Sequence, residues 1–178
     1  MSRPMVHPLV SRALRGLDRV SAPAAVEAHC DIPCGIYDPH QAQLAALTVV
    51  RMNQLIDALE LPPADDKAGR AKYANSISRY VTVKEEHAEI VKKEVRVIWG
   101  DYFKPEHLEK NKDLHTNVWN ILKLASKCRQ EVNMDAAQEL LASVQKFAEA
   151  FWDSKGAKTH RQASKQGAAG GELVYPDA

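Results

Sequence analysis

KAGRAKYANSISRYVTVKEEHAEIVKKEVRVIW, running from Lys67 to Trp99, is the stretch from which the fold is read. Within it Ile77, Tyr80, Val81, Ala88, Val91, Val95 and Ile98 recur at steps of three and four, the single apolar stripe of a long amphipathic helix. Lys84, Glu85, Glu86, Lys92 and Lys93 are expected on the opposite, polar face.

Upstream, Asp38 is suited to cap a helix and Pro39 to occupy its first position, where a missing N–H costs nothing. Leu44, Leu47, Val50 or Arg51, Leu55 and Leu59 then follow the same spacing until Pro62-Pro63 stops the helix. Downstream, Gly100, Pro105 and the polar run Glu109 to Asp113 read as a connection. Leu114, Val118, Ile121, Leu122 and Ala125 mark a third helix. A fourth, capped by Asn133 or Asp135, turns Leu140, Leu141, Val144, Phe147, Ala148 and Phe151 inward. Four such segments of about 20 residues, each roughly 30 Å long, predict an all-α fold: an antiparallel four-helix bundle over residues 38–155. No strand is expected. Residues 156–178, with Gly167, Gly170 and Gly171 among Ala, Ser and Gln, read as a disordered tail.

Composition bounds the function. The 178 residues suit one domain with tails, and 45% hydrophobic residues suffice for a core. Lys+Arg 24 against Asp+Glu 23 leaves a formal charge of +1, so nucleic acid is not expected as a partner. Apolar runs such as Leu47 to Val50 are far shorter than the roughly 20 residues that span a bilayer, so no membrane partner is expected. Cys30, Cys34 and Cys128 are too few and odd in number for a disulfide framework, which favours a reducing, cytoplasmic setting. Residues 1–28 lack an apolar signal core and contain Arg3, Arg12, Arg15 and Arg19. They read as a pro-segment ending at the junction Ala28-His29 and removed by a dedicated peptidase, or else as an organelle transit peptide.

The chemistry is concentrated in His29-Cys30-Asp31-Ile32-Pro33-Cys34-Gly35-Ile36-Tyr37-Asp38-Pro39, just ahead of the first helix. An imidazole and two thiols within six residues suit zinc, copper or nickel, with a structural zinc site or a pair of free thiols as the plainer readings. Closed zinc sites usually want four ligands, and only three side chains are present locally. If the chain is cut before His29, the new amine and the Cys30 amide join the two thiolates in a tetragonal N₂S₂ plane, a geometry that selects Ni(II) or Cu(II). Pro33 and Gly35 shape the turn: proline restricts it, and glycine permits positive φ.

This segment resembles the metal-binding hook of the nickel superoxide dismutases, and Trp99-Gly100-Asp101-Tyr102-Phe103-Lys104-Pro105 is similar to that family's other signature block. The resemblance extends from His29 to about Lys155, with the hook itself spanning residues 29–37. It implies one nickel ion per subunit, bound by the α-amine of His29, the amide nitrogen and sulfur of Cys30 and the sulfur of Cys34. The His29 ring is the axial ligand of the oxidised metal. It implies superoxide as substrate, disproportionated to dioxygen and hydrogen peroxide by Ni(II)/Ni(III) cycling, and a homohexamer. The thiolates lower a potential otherwise too high for both half-reactions, and surrounding groups tune it further. Asp31, Tyr37 and Tyr102 are the side chains expected to serve the reaction, and Lys104 to steer the anion. For Ile32-Pro33 the resemblance raises the expectation of a cis bond above the general rate of about 5–6%. Cys128, between apolar neighbours, is expected to be a small core residue.

Two positions depart from the family pattern. A glutamate that orients the hook imidazole and an arginine supporting it correspond to Ala45 and His87, so His87 is either a substitute contact or an ordinary helix histidine. A di-metal carboxylate bundle would need paired Glu-x-x-His motifs. Tyr37, Lys84, Lys104, Lys112 and Ala157 instead stand three residues before His40, His87, His107, His115 and His160. A non-catalytic helical protein that binds metal or a partner remains the alternative function.

Overall fold

In the computed structural model, which describes residues 35–177, the first helix starts at His40 with Pro39 at its cap position. The Asp38 carboxylate accepts the His40 backbone N–H at 2.7 Å, and Gln43 N closes the first turn onto Pro39 O at 3.2 Å. Helix α1 spans His40–Asp57 and unwinds before the proline pair through Ala58 and Leu59. Helix α2 spans Lys67–Val97, with Asp66 accepting from Gly69 N at 2.8 Å. Helix α4 spans Leu114–Gln130 and α5 Met134–Ser154, the latter capped by Asn133, which accepts from Ala136 N at 2.9 Å. The long helices close a ring in which α1 packs on α2 and α5, and α4 on α2 and α5. The four-helix bundle is thus the fold. The apolar residues expected on the inner face of α5 are all buried there. Among the described residues no helix is long and apolar enough to cross a membrane.

Three expectations are corrected. The connection after α2 contains a short helix, α3, Pro105–Lys110, with proline at the position that lacks an intrahelical donor requirement. Lys84 is not on a polar face: it is 1% exposed, and its ammonium donates to the carbonyls of Cys128, Arg129 (3.4 Å) and Glu131 (2.8 Å). These are groups at the C-terminal end of α4, where helix carbonyls lack intrahelical donors and the dipole favours a cation. Burial pushes the Lys84 pKa below its usual 10.5. Glu94, expected nowhere in the core, is buried as well.

The third correction is the tail. Thr159–Ala163 (β1) and Glu172–Pro176 (β2) pair antiparallel, with Arg161 opposite Val174, and a 3-10 turn at Gly167–Ala169 lies between them. Leu173 and Val174 are buried in the core. A Cβ on Gly171, whose φ is +73°, would come within 3.0 Å of Leu47 Cδ1, so glycine is needed where the returning chain meets α1. The hairpin explains why α1 is buried well beyond one stripe: its second face lies under β2, with Gln43 fully enclosed.

Candidate metal centre

The described part of the hook begins at Gly35, whose φ of +73° is the left-handed turn anticipated for a glycine at this position. Ile36 is exposed, and Tyr37 is half-buried against the bundle. His29, Cys30, Asp31, Cys34, the Ala28-His29 junction and the Ile32-Pro33 bond lie outside the described residues.

Tyr102 is brought to Tyr37 by a change of helical pitch. After Val97 the chain widens into a π-helical turn, Ile98–Tyr102, closed by Phe103 N donating to Ile98 O at 3.3 Å. Such turns shift the phase of everything that follows. Tyr102 consequently lies 5.7 Å from Tyr37, ring centre to ring centre, in a tilted pair. It also stacks on His107 at 5.5 Å and contacts Phe103 at 5.2 Å and Phe151 at 4.7 Å.

The direction of the Tyr102 hydrogen bond follows from its neighbours. Ser154 Oγ donates to Phe151 O at 2.6 Å, which uses the only hydrogen the serine has. The Tyr102 hydroxyl, 2.8 Å from Ser154 Oγ, must therefore donate to it. Lys155 Nζ sits 5.2 Å from the centre of the Tyr102 ring and 5.1 Å from that of Phe151, within cation–π range. Neither Ser154 nor Lys155 stands out in the sequence. The only signal is their place one step beyond the last inward aromatic of α5.

Lys104 is exposed beside a depression of about 260 Å³ shared with Trp99, Phe103, Pro105, Leu108 and His115. Trp99 Nε1 donates to His115 Nδ1 there at 2.9 Å. Ala45 is buried on α1. His87 is half-buried, and its Nδ1 lies 2.9 Å from Val83 O. A carbonyl only accepts, so Nδ1 carries the proton and the neutral ring has Nε2 as its acceptor. Cys128 is fully buried, and desolvation pushes its thiol up to about 11 from 9.0, consistent with a packing role. Among the described residues no three His, Cys, Asp or Glu side chains are grouped to hold a metal.

A four-helix bundle with an aromatic cluster around Tyr102, preceded in the sequence by a His-Cys-Cys segment, is consistent with a helical redox metalloprotein. The sequence model of the family described as nickel-containing superoxide dismutase matches residues 24–155. The nickel superoxide dismutase of Streptomyces coelicolor is 34% identical over 142 residues, covering 79% of this chain and 99% of that one. The enzyme of Streptomyces seoulensis shows the same identity and coverage. Two solved structures agree in fold. One is of native nickel superoxide dismutase, with TM-score 0.59, 34% identity, and 71% of this chain and 99% of that chain covered. The other has nickel ligation corresponding to the oxidised state, with TM-score 0.61, 33% identity, and 72% and 100% covered. The chain belongs to the nickel-containing superoxide dismutase family. It is an oxidoreductase that uses nickel and acts on superoxide, and the non-catalytic alternative gives way.

Proposed function

We propose that the chain is cut between Ala28 and His29, and that the freed amine and ring of His29, the amide and thiolate of Cys30 and the thiolate of Cys34 would hold one nickel ion. The observation that carries this is the His29-Cys30 and Cys34 donor set, placed by the sequence immediately before an aromatic pair at the end of the bundle. Nitrogen and thiolate donors in a tetragonal plane fit nickel. When bound, the metal supplies one-electron chemistry by alternating between its divalent and trivalent states.

The remaining work falls to the chain's own groups. Tyr37 and Tyr102 form an aromatic wall that limits water, and Asp31 serves the reaction from within the hook sequence. Because Tyr102 gives its proton to Ser154, its oxygen presents lone pairs on its other side and acts as an acceptor. Lys104 and Lys155 place positive charge near the site, and attraction of an anion by such charges weakens as salt rises. His87 Nε2 takes the acceptor role of the carboxylate missing at Ala45 and orients the His29 ring. A homohexamer, a maturation peptidase and a cytoplasmic location complete the reading. Intact-mass measurement with metal analysis tests it: a chain starting at His29 with one nickel ion is expected. Nickel-dependent turnover by a chain retaining residues 1–28 would overturn it.

A further inference from the structure

We propose that the C-terminal hairpin is a clamp on the hook-bearing end of α1, with Gln43 as its positioning residue. The inference rests on the reading that residues 29–34 hold nickel. The hairpin lies beyond residues 24–155, the part of the chain that the family model matches.

Gln43 is fully buried and uses both halves of its amide on one residue. Its Oε1 accepts Val174 N at 2.7 Å, and its Nε2 donates to Val174 O at 3.0 Å. A helix side chain thereby stands in for a neighbouring strand at the edge of β2. The contact is repeated along α1. His40 packs on the Tyr175 ring at 5.6 Å, Leu47 meets Gly171, and Gln54 Nε2 donates to Ala169 O at 3.3 Å. On its other side the hairpin is tied to α5, where Gln145 Nε2 donates to Glu172 O at 2.6 Å and Arg161 donates to Gln145 and Glu149.

The first turn of a helix has unsatisfied donors and is where it frays. In α1 that turn follows Tyr37, Asp38 and Pro39 directly, so any opening at His40–Gln43 moves the base of the hook. Gln43 is the residue whose N–H closes this turn onto Pro39, and its side chain fastens the same point to β2. The clamp therefore fixes where the hook leaves the bundle without touching the metal.

The experiment uses the mature nickel-loaded protein with Gln43→Ala and Gln43→Glu. It reads hydrogen exchange of the amides at 40–47, the axial-nitrogen splitting in the paramagnetic resonance spectrum, and superoxide turnover against pH. Gln43→Ala should speed exchange at 40–47 by roughly tenfold or more, as loss of two ordinary hydrogen bonds implies, while the α4 amides keep their rates. It should also broaden the axial-nitrogen splitting.

A protonated glutamic acid can accept from Val174 N and donate to Val174 O, whereas a carboxylate can only accept. Gln43→Glu should therefore match wild type at low pH and Gln43→Ala at high pH. The ionisable groups on the surrounding elements include His40 on α1, Glu149 on α5, and His160, Arg161, Glu172, Tyr175 and Asp177 on the hairpin. Wild type measured at each pH carries all of them and serves as the reference. Wild-type exchange at 40–47 in Gln43→Ala, or no low-pH recovery in Gln43→Glu, overturns the clamp. Failure of the hook reading would show separately, as nickel retained by Cys30→Ser.

Discussion

Lys84 Nζ lies 2.8 Å from the carbonyl of Glu131, so a lysine of α2 caps the end of α4 from within the core. Lys84→Met keeps the apolar stem but leaves one buried carbonyl, that of Cys128, and two part-buried ones, those of Arg129 and Glu131, without their donor. Each unsatisfied group costs about 1–3 kcal/mol, with partial relief from water at the helix end. Urea unfolding should therefore show a midpoint lowered by a loss of about that size for the variant as a whole. An unchanged midpoint would mean the carbonyls find other partners.

Cys128 should resist alkylation in the folded protein at neutral pH and react once unfolded, as counted by mass spectrometry. Its raised pKa also sets a pH slope. Between 9.0 and about 11 the unfolded thiol has released a proton that the folded one keeps, so stability falls as pH rises through this window and is intact below it. Lys84 works in the opposite sense: burial favours its neutral form, so its contribution rises with pH below 10.5. Comparing Cys128→Ala with wild type isolates the thiol, and the variant should lose stability less steeply above pH 9.0.

Cys30→Ser and Cys34→Ser should each abolish nickel-dependent turnover while helical circular dichroism stays at the wild-type level. Both cysteines precede α1 in the sequence and are not part of the apolar stripes that build the helices. Loss of helix in either variant would make the segment structural.

Removing the acceptor of the Tyr102 proton should free that hydroxyl to donate elsewhere. Ser154→Ala is expected to change the pH profile of turnover, and Ser154→Thr, which keeps a hydroxyl, to restore it. Equal profiles for all three proteins would show that Tyr102 acts through packing alone.

His87→Ala should lower turnover by about 10–100-fold without releasing nickel, as loss of a group that orients a metal-bound imidazole typically does. The axial-nitrogen signal of the oxidised metal should weaken with it. A wild-type rate and signal would return His87 to the status of a histidine bonded to its own helix at Val83.

The bundle was legible because its information is periodic: Val91, Val95 and Ile98, or Val144, Phe147 and Phe151, declare their face by spacing alone. Lys84 was not, because its apolar stem and charged tip serve different surroundings, and a pattern of residue types records only the tip. The hairpin was missed because two adjacent apolar residues, Leu173 and Val174, are too short a run to show a period. Its glycines look like disorder in composition, yet all three take positive φ to turn the chain, and Gly171 does so against Leu47. At the site, Tyr37 and Tyr102 could be named from their motifs, but their pairing depends on the π-helical turn, a change of pitch that local sequence does not announce. Ser154 and Lys155 became visible only once α5 was seen to end beside Tyr102.

Strand β2 also decides where the described chain leads. It runs back along α1, so that Tyr175 rests on His40 and Asp177 N reaches Lys158 O at 2.8 Å. Asp177 is thus brought to the pole at which α1 begins. On the proposed reading, a purification handle of consecutive histidines appended after Ala178 would deliver rival nickel ligands to that pole, and one placed ahead of residue 1 would leave with residues 1–28. For this protein, the choice of where to attach such a handle is a choice about metal competition.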